Sequence, residues 1–159
     1  MIFIILGSQK FQFNRLLKTV DHLIDIGVIK EEVLAQVGFS DYIPHNFEYR
    51  KFFDYPVMAD LIQKADIIIT HGGTGSIVGA VKAGKKTIAI PRKAEYKEHV
   101  DDHQIQIIKL FNEQNLICAC EECEQLESAL EMVRTTTYKS YQSSTNDIMN
   151  SIIEFIESN

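Results

Sequence analysis

The chain lacks an excess of positive charge. Among its 159 residues it carries 16 Lys and Arg against 22 Asp and Glu, a formal net charge of −6 with histidine neutral. A surface that grips nucleic acid needs a basic footprint to displace counterions, so a general nucleic-acid binder is excluded. The same deficit means that bulk charge cannot draw an anionic ligand inward, and any anion site must rest on local dipoles and a few cations. Long apolar runs are missing too. No stretch approaches the roughly 18 apolar residues of a membrane span, and the opening MIFIILGSQ has no basic flank and is too short for a secretory signal. The expectation is a cytoplasmic protein whose membrane contact, if any, is peripheral or borrowed from a partner. Cysteine is scarce and odd in number: Cys118, Cys120 and Cys123 form no disulfide framework, and C-A-C-E-E-C lacks both a fourth ligand and a zinc-type spacing. Also absent are the Gly-Lys-Ser/Thr ending of a Walker A loop, an Asp-x-Asp donor motif, internal repeats and low-complexity blocks.

What is present is ordinary for one globular domain, with 45% hydrophobic and 24% charged residues. Apolar strand-like runs alternate with amphipathic stretches. Ile2 to Leu6 read as a first buried strand, and Gly7, Ser8, Gln9 and Lys10 turn it into a helix with Phe13, Leu16, Leu17, Val20, Leu23 and Ile24 inside. Val33 to Val37 and Glu48 to Phe53 give two more strands around an irregular polar segment, 40–46. Pro56 suits the first turn of a helix that runs to Lys64 and turns Met58, Leu61 and Ile62 inward. After Pro91 a charged loop leads into a helix near Val100 to Asp102, in which Ile105, Ile108, Leu110 and Phe111 are partly buried. Leu116 to Ala119 form a sixth strand. Glu122 to Val133 form a helix with a solvated acidic first turn, 135–146 a polar linker, and Asp147 to Ser158 an amphipathic helix carrying Ile148, Met149, Ile152, Ile153, Phe155 and Ile156. The pattern predicts an α/β fold, a Rossmann-like parallel sheet flanked by helices. The expected organisation is a domain over 1–134 followed by a linker and helix over 135–159, packing on the domain or on a partner.

The stretch ADIIITHGGTGSIVGAVKAGKKTIAIPR, residues 65–92, organises the rest. Ile67, Ile68 and Ile69 form an unbroken β-branched run, as in a strand buried on both faces. Gly72, Gly73, Thr74, Gly75 and Ser76 follow, a helix opens near Ser76 and closes at Gly84, and Thr87 to Ile90 make the next strand. The first N–H groups of a helix lack intrahelical partners and sit at the positive end of its dipole, so they favour anions. Glycines let a phosphate approach without meeting a Cβ. Such turns also close plain βα corners with a capping Ser or Thr, but three glycines among four residues exceed what a cap requires. A dinucleotide fingerprint would lie in the first βα unit; here Gly73-x-Gly75 is followed by Val78 and lies after the fourth strand, which counts against an NAD enzyme.

HGGTGS after this strand, AGKK, a strand ending in Pro-Arg and finally DDHQ resemble the donor-nucleotide domain of inverting GT-B glycosyltransferases of the MurG type. The likeness is greatest to single-domain members: PssE-like subunits of exopolysaccharide and capsule synthesis, and the small catalytic subunit of the dolichol-linked N-acetylglucosamine transferase. It runs from Ile2 to about Leu116. The resemblance implies the donor-binding half of a GT-B fold and a hexosyl transfer from a UDP-sugar to a polyprenyl-diphosphate-linked sugar. It implies no metal or other cofactor, and a membrane-associated partner subunit that supplies the acceptor half and recruits this chain to the cytoplasmic membrane face.

The same resemblance assigns roles. Gly72, Gly73, Thr74, Gly75 and Ser76 would hold the UDP diphosphate, and Gly7 and Ser8 match the first glycine corner near it. Asp102 and Gln104 would meet sugar or ribose hydroxyls, with Asp102 also a plausible N-cap and Gln104 the stronger candidate for sugar contact. Tyr55 and Met58, with Phe53, would line the uracil pocket. Arg92 is a possible phosphate cation, and His71 and His103 are the candidate catalytic histidines, with His99 also near the cleft. Several relatives carry a glutamate for the ribose where this chain has Gly79. A nucleotide-binding or regulatory module without chemistry is the alternative.

Overall fold

The computed structural model of the protein describes residues 1–141 and 143–158. Its strands are β1 (Ile2–Ile5), β2 (Val33–Gln36), β3 (Glu48–Arg50), β4 (Ile67–His71), β5 (Lys86–Ile90) and β6 (Cys118–Ala119). They form one sheet in the order β3-β2-β1-β4-β5-β6, with every pairing parallel. The chain winds outward from β1 to β3, then crosses back to place β4 on the other side of β1. The order therefore reverses between β1 and β4, and the crevice beyond their carboxyl ends is where ligands bind in such sheets. Both glycine corners open there.

Six helices cover the sheet: α1 (Asn14–Asp25), α2 (Tyr55–Lys64), α3 (Thr74–Lys82), α4 (His103–Glu113), α5 (Leu126–Thr135) and α6 (Ser143–Glu157). Alternate side chains of each strand serve opposite faces. Ile2, Ile4, Ile67, Ile69, Ile88 and Ile90 pack with α1 and α5 on one side. Phe3, Ile5 and Ile68 meet α2 and Ala80 of α3 on the other, where Ala89, Ile107, Ile108 and Phe111 continue the layer. Burial on both faces explains the unbroken apolar runs of β1 and β4, each such side chain contributing roughly 1.5–3 kcal/mol of burial free energy.

Several boundaries move from their expected places, each for a local reason. Helix α1 starts at Asn14 rather than near Gly7, because the Phe13 N–H donates to Ser40 Oγ (2.9 Å) and the Asn14 N–H to Gln12 Oε1 (2.8 Å). Helix α3 starts at Thr74 with Gly73 as its N-cap, and closes as expected with Gly84 at φ +69. In α4, Ile107 is buried and Ile105 is exposed, since the helix sits rotated from the expected face. The acidic turn before α5 is not simply solvated: Glu122 caps a 3₁₀ turn over Cys123–Gln125 and pairs with Arg15 and Lys93. Helix α6 is helical already at Ser143 and buries Met149 and Ile152 in the layer that holds Ile107, Ile108 and Phe111; Ile148 lies outside the described side chains. Among the described residues, no helix is long and apolar enough to cross a membrane.

Candidate functional site

Two cavities meet at the carboxyl edge of the sheet. One of about 580 Å³ lies between α2 and α3, and one of about 400 Å³ lies between the β4–α3 loop and the start of α4. Gly7, Ser8, Gly75 and Ser76 line both, so they form one cleft divided by the amino end of α3. The larger half is mostly apolar, walled by Ile5, Met58 and Ile62, with Tyr55 at its rim and 87% exposed. The smaller half is polar, with His71, Thr74, His99, Asp101, His103 and Gln104. An apolar pocket with a few placed polar groups beside a polar chamber is what an amphipathic ligand, planar at one end and hydroxylated at the other, requires.

The divider is a helix terminus without a side-chain cap. Its N-cap is a glycine, and the first-turn N–H groups of Thr74, Gly75 and Ser76 have no intrahelical acceptor, so they present an anion-favouring face to the cleft. The glycines around it serve different ends. A Cβ at Gly75 would meet nothing within 4 Å, leaving this position open to a ligand. A Cβ at Gly72 would stand 2.6 Å from Gln104 Cβ, and one at Gly73 only 2.2 Å from His71 Nε2. Two of the three glycines are thus demanded by packing against the protein itself.

His71 explains the second demand. Its ring is wedged between the two glycine corners: a Cβ at Gly7 would lie 2.7 Å from its Cε1, and Gly7 also holds φ +71. The ring is buried, with Nδ1 3.3 Å from the Ile5 carbonyl oxygen. Burial, reinforced by the Arg92 charge, lowers its pKa from 6.5 to about 4. At neutral pH His71 is therefore uncharged. A neutral ring with Nδ1–H donating to Ile5 turns the Nε2 lone pair toward the Gly73 corner.

Gln104 and Arg92, expected at the ligand, are braced inside the protein. Gln104 Oε1 accepts from the Gly72 N–H and the Arg92 N–H, both at 3.0 Å, tying the end of β4 to the exit of β5. Its Nε2 remains for the smaller cavity. Arg92 is fully buried, donates from Nη2 to the Leu6 carbonyl (2.6 Å), lies 5.7 Å from the Phe13 ring centroid and lines neither half of the cleft. Burial lowers its pKa to about 10 against the opposing charge of Glu98. Its position makes it a cation beneath the first glycine corner, one layer behind any phosphate.

The wall carrying His99 to His103 hangs on a buried ion network. Glu98, 1% exposed, accepts from Arg15 Nε and Nη2, both at 3.0 Å, and from the Lys93 N–H. The carboxylate that faces the cavity and caps α4 is Asp101, one residue before the expected one. Its Oδ1 accepts from the His103 N–H (3.0 Å) and sits 3.1 Å from His99 Nδ1. Asp102 is the N-cap by position, but its side chain turns outward and accepts from the Ala94 N–H (2.9 Å). The helix signature thus spreads its duties over two adjacent acids, a division that spacing alone does not reveal.

The structure therefore brings Gly7, Ser8, His71, Gly72, Gly73, Thr74, Gly75, Ser76, His103 and Gln104 to one cavity, sets Tyr55 and Met58 in its neighbour, and leaves Arg92 and Asp102 outside both. Gln36, Gln63 and Lys82 also line the larger half. Of these, Gln36 had a signal in the sequence: a lone amide ending an otherwise apolar buried strand.

The sequence matches the glycosyltransferase family 28 C-terminal domain over residues 1–157. The chain belongs to this family. Two relatives are a UDP-N-acetylglucosamine–N-acetylmuramyl-(pentapeptide) pyrophosphoryl-undecaprenol N-acetylglucosamine transferase of Trichodesmium erythraeum and the UDP-N-acetylglucosamine transferase subunit ALG13 of Kluyveromyces lactis. The first is 29% identical over 52% of this chain and 22% of its own length, the second 26% identical over 64% of this chain and 43% of its own. Less than half of either relative is thus spanned. The solution structure of ALG13 superposes with a TM-score of 0.64 at 17% identity, covering 98% of this chain and 96% of that one. The crystal structure of Acinetobacter baumannii MurG does so with 0.56 at 16% identity, covering 95% of this chain and 49% of that one. The fold these structures share with the chain is a Rossmann-like parallel sheet flanked by helices.

Proposed function

We propose that this chain is the catalytic donor-binding subunit of a two-component inverting glycosyltransferase. It moves a hexose from a UDP-sugar to a polyprenyl-diphosphate-linked sugar in exopolysaccharide or capsule synthesis. The observation that carries this reading is the bare amino end of α3, with Gly75 open, standing between an apolar and a polar cavity. The uracil and ribose lie in the larger half against Tyr55 and Met58. The diphosphate sits on the N–H groups of Thr74, Gly75 and Ser76, with Ser8 and the Thr74 and Ser76 hydroxyls as further donors. The sugar occupies the smaller half, within reach of Gln104 Nε2.

The leaving diphosphate is stabilised by the helix terminus, a fixed set of dipoles that needs no reorganisation as charge develops. No metal or other cofactor enters this scheme. Transfer also needs a base for the acceptor hydroxyl. His103, next to the Asp101–His99 pair at the cavity wall, is the group this chain offers. His71 is too acidic to hold a proton at neutral pH, and its role is to set the spacing of the two glycine corners. The partner subunit, membrane-associated, presents the lipid-linked acceptor and brings this chain to the membrane. That one relative is named a transferase subunit supports this division of labour.

The test is calorimetric titration with UDP, UDP-hexoses and NAD, followed by transfer from a radiolabelled UDP-sugar by the chain co-expressed with a candidate acceptor subunit. UDP binding with activity only in the pair is expected; binding of NAD in preference to UDP refutes the reading. A second reading, nucleotide binding without chemistry, draws on Gly79, which lines the larger cavity with open space at the position where the family resemblance leads to an acid. UDP binding that never yields transfer in any pairing would select it.

A further inference from the structure

We infer that Gln36 reads the nucleobase, selecting a ring that turns a carbonyl oxygen, rather than an amino group, toward the end of β2. This rests on the donor reading above and goes beyond it by naming the group that discriminates one pyrimidine from another. Gln36 is the last residue of β2, 6% exposed and walling the larger cavity beside Ile5, Tyr55 and Met58. A polar side chain buried to that degree is costly unless its atoms are satisfied.

One end is satisfied. Gln36 Oε1 accepts from the Phe53 N–H at 3.0 Å. An N–H partner settles which end of the amide is oxygen, so the NH₂ points the other way. That NH₂ has no acceptor among the described residues. It is not sealed in either: the buried side-chain atoms without a partner there are Nε and Nη1 of Arg92. Gln36 lines the larger cavity, and we take that cavity to be the opening onto which its Nε2 gives. The NH₂ is therefore a donor, fixed in direction by its own oxygen and left unfilled beside Ile5 and Met58, in a cavity whose other polar lining includes Gln63 and Lys82.

The base half of the cleft is the place for such a donor. The diphosphate end of the ligand is fixed at Gly75 and Ser76, and Met58 and Tyr55 offer apolar surface for a ring. A donor in that wall pairs with the O4 carbonyl of uracil. It faces two hydrogens if the ring is cytosine, which carries an amino group there. A buried donor left against another donor loses its hydrogen bond and its solvation together, worth roughly a factor of 10 or more in affinity.

The experiment measures the affinity ratio of UDP to CDP for the wild-type chain and for Gln36→Glu. The glutamate keeps an oxygen for the Phe53 N–H and replaces the NH₂ by an acceptor. Charge repulsion on the diphosphate weakens both nucleotides alike, so the ratio isolates the base. The expected result is at least ~10-fold preference for UDP in the wild type and a ratio reduced or inverted in Gln36→Glu. A wild type that binds UDP and CDP equally overturns the inference even if the variant does not fold. So does a folded variant whose ratio is unchanged, while UDP binding itself leaves the donor reading standing. Failure of the wild type to bind UDP or any UDP-sugar overturns the donor reading, and this inference with it.

Discussion

Replacing Gly73 and Gly75 by alanine, one at a time, separates the structural from the ligand-binding work of the loop. The two residues stand two positions apart in sequence, yet their surroundings differ. The methyl of Gly73→Ala would stand 2.2 Å from His71 Nε2, more than 1 Å inside the ordinary 3.4–4 Å contact range. The ring cannot retreat, because Gly7 closes its other side. Overpacking of this kind costs about 1–3 kcal/mol, and the confinement places Gly73→Ala at the upper end. For a domain of this size that is a fall in Tm of about 5–10 °C. Gly75→Ala meets nothing within 4 Å and lies in the first turn of α3, where alanine gains up to about 1 kcal/mol over glycine. Its methyl enters the space shared by both cavities, so it displaces the diphosphate. Charge-assisted hydrogen bonds of about 1.5–3 kcal/mol are lost, a fall in UDP affinity of about 10- to 100-fold. Urea unfolding with and without UDP reads both effects. Saturating nucleotide at 100 times Kd should add about 2.7 kcal/mol to the wild type and far less to Gly75→Ala at the same concentration. A Gly75→Ala chain that is destabilised by more than 1 kcal/mol, or that binds UDP as the wild type does, would refute the assignment of the open glycine to the ligand.

Three further outcomes are expected. His71 has a folded pKa of about 4 against 6.5 unfolded, so the unfolded chain binds the extra proton between those values. Stability from its neutral burial is complete above pH 6.5 and declines as pH falls toward 4, by up to about 3 kcal/mol. Denaturant midpoints measured across that window should lose this component of their slope in His71→Asn, and an unaltered slope would contradict the buried neutral ring. Glu98→Ala removes the carboxylate that accepts from Arg15 Nε and Nη2 and from the Lys93 N–H, while Glu122 still pairs with Arg15, and should cost about 1–3 kcal/mol by chemical denaturation; a change below about 0.5 kcal/mol would show that the network is dispensable. Burial raises the Cys118 pKa and pushes those of Cys120 and Cys123 to about 12, so a thiol-disulfide reagent at pH 8 should titrate none of them in the folded chain and all three in guanidinium. Rapid reaction of the native protein would refute their inert burial.

The sequence by itself determined the layers of the fold and the place of the cleft. Runs such as Ile67–Ile69, apolar on every residue, require burial on both faces, and that requirement forces a parallel sheet between two layers of helices. The glycine corners after β1 and β4 then fall at its carboxyl edge by topology. What local pattern could not decide was the purpose of individual side chains there. HGGTGS reads as a uniform phosphate cradle, yet Gly72 and Gly73 are small to admit Gln104 and His71, and only Gly75 faces open space. Arg92 reads as a phosphate cation but is drawn inward to the Leu6 carbonyl. Asp102 and Asp101 are indistinguishable by spacing, and their division between the Ala94 and His103 N–H groups was set by the fold of the loop that Glu98 anchors. The places of Gln104 and Arg92 depend on contacts between residues 32 and 86 apart in sequence, where Gln104 meets Gly72 and Arg92 meets Leu6. The short-range choices around Asp101 and Asp102 depend on the loop those contacts leave in place. A periodic pattern records which face of an element is buried. Which neighbour it is buried against is settled only when the sheet closes and the two glycine corners meet across β1 and β4.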